Sequence, residues 1–188
     1  MLDDEAFETI LPNAAMLRRL TSADAVAFAE HVARDIEHLG QHLPWPERTA
    51  TTQGAERWLR AYERHDDGRV LVAGAWNGPR LTGGAVLFHH DAQQGNVEIG
   101  CWVLAAGEGS GLAYAACREL LVIARNDLKA QRVEWRTTSA NERSRRLAER
   151  LGFRHDGTLR SNYVMHDLRH DTEVFSLIGP EIDRAIAL

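Results

Sequence analysis

Residues 97–113 read VEIGCWVLAAGEGSGLA, and the order of textures in this stretch decides the fold. Residues 97–104 are mostly β-branched, aromatic or otherwise apolar, which predicts a strand. The glycines of Glu108-Gly109-Ser110-Gly111 then break the pattern and predict a tight turn. From Leu112 onward the apolar positions Leu112, Ala113, Ala116, Cys117, Leu120, Leu121 and Ala124 recur with a period near 3.6, which predicts a helix to about Leu128. A strand therefore feeds a glycine turn, and the turn feeds a helix.

Working outward, residues 69–76 (RVLVAGAW) and 80–89 (RLTGGAVLFH) read as two strands joined by Asn77-Gly78. Asn-Gly supplies the positive φ of a tight hairpin turn. Further upstream, residues 14–20 read as a short strand. Thr21-Ser22 with Asp24 reads as the cap of a helix running to about Leu39. Pro44 and Pro46 end that segment, and a second helix is expected over residues 52–65. Downstream come a strand at 132–137, a short helix at 141–151 closed by Gly152, and last strands at 153–160 and 172–178. The order is helices, a three-stranded meander, a β–α–β–α unit and final strands: an α+β layout around one sheet. No repeat, low-complexity tract or linker divides it, so residues 1–188 are read as one domain with its core at about 14–180.

The 188 residues carry 22 Lys+Arg against 27 Asp+Glu, a net charge of −5, which argues against bulk nucleic-acid binding. No apolar run is long enough for a membrane span, and the acidic start MLDDEAFETI lacks the apolar core of a secretory signal. Cys101 and Cys117 form neither a metal signature nor a disulfide framework, and they read as small core residues of a reducing cytoplasm.

The glycine turn invites a phosphate. Gly109 and Gly111 let backbone amides approach a bulky anion, and the helix adds unpaired N-terminal amides. A ligand-free turn between strand and helix is the plain alternative. A Walker A loop needs a Lys before Ser/Thr and is excluded. A dinucleotide fingerprint needs G-x-G-x-x-G and crossover helices, and it fits poorly. Acyl-CoA is the third ligand class. On this point Glu98-Ile-Gly-Cys-Trp-Val-Leu104 with Gly109-Ser-Gly-Leu-Ala113 resembles the core of the GCN5-related N-acetyltransferases, the GNAT family. The resemblance narrows to the branch that acetylates ribosomal-protein N-termini. It continues through Arg132-Val-Glu134, Asn141-Glu-Arg-Ser144, Leu151-Gly-Phe153 and Gly157-Thr-Leu-Arg160 to Val174-Phe-Ser-Leu177. Upstream, Leu43-Pro-Trp45 resembles that branch's substrate segment.

The resemblance implies a single-domain GNAT fold with a mixed, splayed sheet flanked by helices. It implies acetyl-CoA as cosubstrate, no metal, and direct attack by an amine in a ternary complex. Trp102, Val103 and Leu104 would offer backbone groups to the cofactor, and Gly109, Ser110, Gly111, Leu112 and Ala113 would cradle its pyrophosphate. The family pattern Gln/Arg-x-x-Gly-x-Gly/Ala here begins with Glu108, which places a carboxylate beside that anion.

An α-amine has a pKa of roughly 8 and needs only a modest base. Glu98, a carboxylate inside an otherwise apolar strand, is the expected base or amine anchor; the alternative is an ordinary ion pair with an Arg. By resemblance Ser144 would give a proton to the leaving thiolate, and Asn141 would contact the cofactor. The plain alternative is that Asn141 caps the helix and Ser144 is its third residue. Tyr163 is the second choice as donor. Trp45 would wall the acceptor pocket, with His42 and Glu47 nearby.

The acceptor is expected to be a peptide N-terminal amine; a polyamine or amino sugar, or a catalytically weak acyl-CoA-binding role, is the alternative. Neither a membrane nor a nucleic-acid partner is expected. A homodimer is allowed, since C-terminal strands of such proteins often pair across subunits. His166-Asp167-Leu168-Arg169-His170 superficially matches a zinc motif but lacks the Glu base and a helical context. His89-His90 reads as a solvated turn, and Arg143, Arg145, Arg146 and Arg150 as a solvated helix face from which Arg145 or Arg146 could reach a CoA phosphate.

Overall fold

The computed structural model describes residues 7–187. The acidic start of the chain, residues 1–6, lies outside them. Among the described residues eight strands form one sheet in the order β1-β2-β3-β4-β5-β6-β8-β7. They are β1 (Glu8–Ile10), β2 (Met16–Arg19), β3 (Leu71–Asn77), β4 (Arg80–Asp91), β5 (Asn96–Val103), β6 (Arg132–Thr138), β7 (Arg154–Met165) and β8 (Leu168–Ile178). All neighbours are antiparallel except β5 and β6, so the sheet is mixed. Among the described residues no helix is long and apolar enough to cross a membrane.

Strand alternation splits the apolar residues between two faces. Val97 and Ile99 of β5, with Val133 and Trp135 of β6, face α5 (Leu112–Asn126) and α7 (Pro180–Ala187) in one core. Trp102 of β5 faces the other way, into a second core under α1 (Ala25–Arg34) and α4 (Thr52–Glu63). The ring of Trp102 needs bare backbone beneath it: a Cβ on Gly84 would stand 2.4 Å from the indole and 2.2 Å from the Ala73 carbonyl.

Three expectations shift. The β3–β4 turn is Gly78-Pro79, with Asn77 already paired to Arg80. Gly78 alone supplies the positive φ, at +58°. The helix expected to Leu39 breaks at Asp35, whose carboxylate accepts from the Ala105 amide at 2.7 Å instead of supporting a helical turn. That tertiary bond starts a separate α2 (Ile36–Gly40) and aims it at the end of β5. Third, residues 161–171, between the strands expected at 153–160 and 172–178, continue them. β7 and β8 run on to a two-residue turn at His166-Asp167, both with positive φ. β1, α7 and the one-turn α3 (Pro46–Thr49) had no counterpart in the sequence reading. The short helix α6 (Glu142–Arg150) matches expectation, with Asn141 as its cap and Gly152 closing it at φ +91°.

Candidate active site

β5 and β6 are paired only at Asn96–Arg132, Val97–Val133 and Glu98–Glu134. Beyond Glu98 the two strands diverge, and β5 keeps only β4 as a partner. The phase of that pairing decides which backbone groups face the gap. The Leu104 amide donates to the Thr82 carbonyl, so the even residues of β5 bond to β4. Ile99, Cys101 and Val103 therefore turn their N–H and C=O groups into the gap. This reassigns two of the three expected backbone contacts: the groups of Trp102 and Leu104 point at β4. The Val103 carbonyl faces the gap but accepts a hydrogen bond from His38 Nε2 at 3.1 Å.

The glycine turn lies at the open end of the gap. Gly109 and Gly111 sit at φ +71° and +75°, and a Cβ on either would meet nothing within 4 Å. Gly111 caps α5 without a side-chain hydrogen bond. The first helical bond is from Ala115 N to Gly111 O. Among the described residues, the amides from Gly109 through Tyr114, Ser110, Leu112 and Ala113 included, have no acceptor in the protein. Consecutive free amides in this conformation, at a helix N-terminus, form an anion cradle. The Ser110 hydroxyl is turned inward, donating to the Gly107 carbonyl at 2.7 Å. Glu108 does not point unopposed at the cradle: its Oε1 holds Arg143 of α6 at 2.6 Å and lies 3.8 Å from His38.

The other side of the gap presents side chains. Glu98 is buried at 8% exposure. Its Oε2 accepts from His89 Nδ1 at 2.9 Å and lies 3.7 Å from Arg136 Nε. Its Oε1 has no protein partner among the described residues. These residues, with Glu134, Asn96 and Asp91, line an open depression of about 250 Å³. The nearby Tyr62 phenol is pushed up to about 12 by burial. His89, expected in a solvated turn, lies within β4. A β-bulge brings it to Glu98, and the dipeptide His89-His90 carries no signal of one.

Along the same face, Trp45 stacks on Trp58 at 5.3 Å and meets Trp102 edge-on at 5.7 Å. Trp45 is half-buried and packs against the core under α1 and α4. Among the described residues the buried Trp102 Nε1 has no hydrogen-bond partner. Burial, helped by Arg143 and His38, lowers the pKa of His42; Glu47 is exposed on α3.

Asn141 Oδ1 accepts the Ser144 amide at 3.1 Å, so it caps α6. Ser144 does more than fill the first turn, because its Oγ accepts the indole N–H of Trp135 at 3.0 Å. With that lone pair occupied, the hydroxyl proton is left to donate elsewhere. The loop before Asn141 is held by Glu173, which accepts from Ser139, Thr158 and His155 at 2.6, 2.7 and 2.6 Å. These donors, the Ser139 and Thr158 hydroxyls first, pull its pKa down to about 2. Tyr163 stands apart from Ser144's helix, on β7, where burial raises its pKa. His166 bonds the Gly40 carbonyl at 2.9 Å, tying the β7–β8 turn to α2. Among the described residues no three His, Cys, Asp or Glu side chains are grouped to hold a metal.

Comparison with known proteins agrees with this geometry. A family model described as "Acetyltransferase (GNAT) domain" matches residues 15–154. The chain is 30% identical over 170 residues to the Bacillus subtilis (strain 168) protein named "Putative ribosomal N-acetyltransferase YdaF", covering 88% of this chain and 91% of that one. A crystal structure described as a probable acetyltransferase superposes with a TM-score of 0.83 at 29% identity, covering 93% of this chain and 98% of its own. RimL, a ribosomal L7/L12 α-N-protein acetyltransferase solved with coenzyme A, shares the fold at TM-score 0.80 and 18% identity, covering 90% and 98%.

Proposed function

The chain belongs to the GNAT acetyltransferase family, and from that premise we propose that it moves the acetyl group of acetyl-CoA to the N-terminal amine of a protein or peptide. One observation carries the reading. The gap between β5 and β6 has an anion cradle at one end and the free oxygen of a buried carboxylate at the other.

Acetyl-CoA supplies an activated thioester. The free amides from Gly109 to Tyr114 fit its pyrophosphate. Ile99, Cys101 and Val103 offer the edge along which the pantetheine arm lies, in place of Trp102 and Leu104. Backbone amides on that edge polarise the thioester carbonyl. Glu98 Oε1 receives the proton that the attacking amine sheds. An α-amine, with a pKa of roughly 8, asks little of this base. Ser144 passes its hydroxyl proton to the departing thiolate and takes one back from water, and Asn141 fixes the start of α6 that carries it. Trp45 walls the acceptor side. Residues 1–188 act as one domain in the cytoplasm. The exposed Leu159, Val164 and Leu168 of the β7–β8 arm offer a surface for a homodimer.

The name of the relative favours a ribosomal-protein N-terminus as acceptor. The competing acceptor is a small-molecule amine, and the test is direct. Thiol release from acetyl-CoA is followed with peptides bearing free or blocked N-termini, and with spermidine and an aminoglycoside. Turnover of free-N-terminus peptides above the small amines is expected. Turnover of the small amines alone would replace the acceptor class. Failure to bind acetyl-CoA in calorimetry would remove the activity altogether.

A further inference from the structure

Between Phe88–Glu98 and Asp91–Asn96 two residues of β4, His89 and His90, oppose the single residue Val97 of β5. This is a β-bulge, and it has a directional effect. Phe88 packs against the core under α1 and α4, so strict alternation would send His89 to the opposite face, toward α5. The bulge turns it back onto the face of Glu98. His89 takes φ +51° to make that turn, in a region that a residue with a Cβ enters at a cost of roughly 1–2 kcal/mol. Its ring rests beside Phe88 at 4.6 Å. The imidazole is 65% exposed, while the Glu98 carboxylate it reaches is 11% exposed.

The hydrogen bond is therefore formed against a backbone preference and against alternation. It uses the Glu98 oxygen, Oε2, that also faces Arg136, and it leaves Oε1 bare. The surroundings are otherwise charged and balanced: Arg136 and Glu134 from β6, Arg69 before β3, and Asp91 and His90 on β4.

We infer that His89 is a positioning residue for acetyl transfer: its Nδ1–H holds Glu98 by Oε2, so that Oε1 meets the acceptor amine. This deepens the reading of Glu98 as base and rests on it. His89 itself touches no reacting atom. The proton leaves the amine nitrogen for Oε1 and goes on to water, while the His89 N–H···O bond is kept throughout.

Three substitutions separate the role from mere folding. His89→Gly removes the donor but suits the positive φ, so the strain relieved and the bond lost roughly offset and its Tm should stay close to that of the wild type. Its kcat with acetyl-CoA and the free-N-terminus peptides should fall about 10-fold or more, the effect of losing a hydrogen bond to a charged group. KM for acetyl-CoA should be unchanged. His89→Asn keeps a donor at the place of Nδ1 and tolerates the same backbone, so it should restore most of kcat. Histidine NMR of the wild type should show Nδ1 protonated at neutral pH, with that signal altered in Glu98→Gln.

The inference is overturned if His89→Gly keeps wild-type kcat while Glu98→Gln loses it, or if Nδ1 carries no proton. A fully active Glu98→Gln would remove the base assignment itself, and the positioning role with it.

Discussion

The two sides of the gap between β5 and β6 are built from different materials. The side proposed for the cofactor is backbone: two glycines at positive φ, a run of free amides and the open edge of β5. The side proposed for the acceptor is side chains brought from distant parts of the chain, with His89, Glu98 and Arg136 on three strands, Trp102 on the strand of Glu98, and Trp45 and Trp58 on two further segments. Backbone recognition tolerates a change of neighbouring side chains so long as the local conformation survives. Side-chain recognition is lost when one partner moves. The first side is therefore suited to a constant cosubstrate, and the second to an acceptor that differs among relatives.

The hardest blow to this division is a bulky residue in the cradle. Gly111 has open space where its Cβ would be, so Gly111→Trp meets no protein atom at that position. It does place an indole where the anion would sit. Acetyl-CoA binding in calorimetry should drop by roughly 100-fold or more, the scale of losing several charge-assisted hydrogen bonds. The fold should lose only the roughly 1–2 kcal/mol of strain that a non-glycine residue pays at this φ. Undiminished binding would mean that the pyrophosphate lies elsewhere and that the cofactor side is not a backbone site.

Legibility in the sequence follows the same division. The strand, glycine turn and helix of residues 97–126 are local patterns, and periodicity and glycine spacing exposed them. So was the capping role of Asn141, which depends on residues three apart. The phase of β5 was not legible. Whether odd or even backbone groups face the gap depends on pairing with β4, about 20 residues upstream, which turns the groups of Trp102 and Leu104 toward β4. The bulge at His89 was hidden for a similar reason. Nothing in Phe88-His89-His90 announces that Val97 will oppose two residues. The break at Asp35 likewise depends on Ala105, 70 residues away.

A middle-sized effect probes the joint between the two sides. Glu173 anchors the loop that leads to Asn141 and Ser144 through Ser139, while Thr158 and His155 of β7 hold its other oxygen. Glu173→Gln should cost about 1–3 kcal/mol in chemical denaturation. The pH dependence has a definite sign. The folded carboxylate titrates at about 2, against 4.5 for the free group, so the unfolded chain takes up the proton first. This share of stability is complete above about pH 4.5 and is lost as pH falls through about 2. Glu173→Gln should flatten that part of the stability–pH curve. An unchanged acid limb would show that the network does not hold the loop in solution.

The smallest effect sharpens the comparison most, because it asks whether any side chain matters on the backbone side. Glu108 replaces a donor that the family pattern carries at this position, yet its charge is met by Arg143 across the mouth of the gap. Both side chains are substantially exposed, 38% and 71%, so their pairing should add no more than about 1 kcal/mol to stability. For cofactor binding the two charges act in opposite directions. Glu108→Gln frees the guanidinium beside the cradle and should tighten acetyl-CoA binding a few-fold, more at low salt than at high. Arg143→Gln leaves the carboxylate unopposed and should weaken binding by a similar factor. The double variant should return close to wild type, because a neutralised pair and an absent pair present the same net charge to the anion. In a double-mutant cycle by calorimetry the two opposite effects should therefore add, with a coupling close to zero. If Glu108→Gln weakens binding instead, the carboxylate is not a rival of the phosphate for Arg143. It must then hold the glycine turn in shape, and the backbone cradle would depend on a side chain after all.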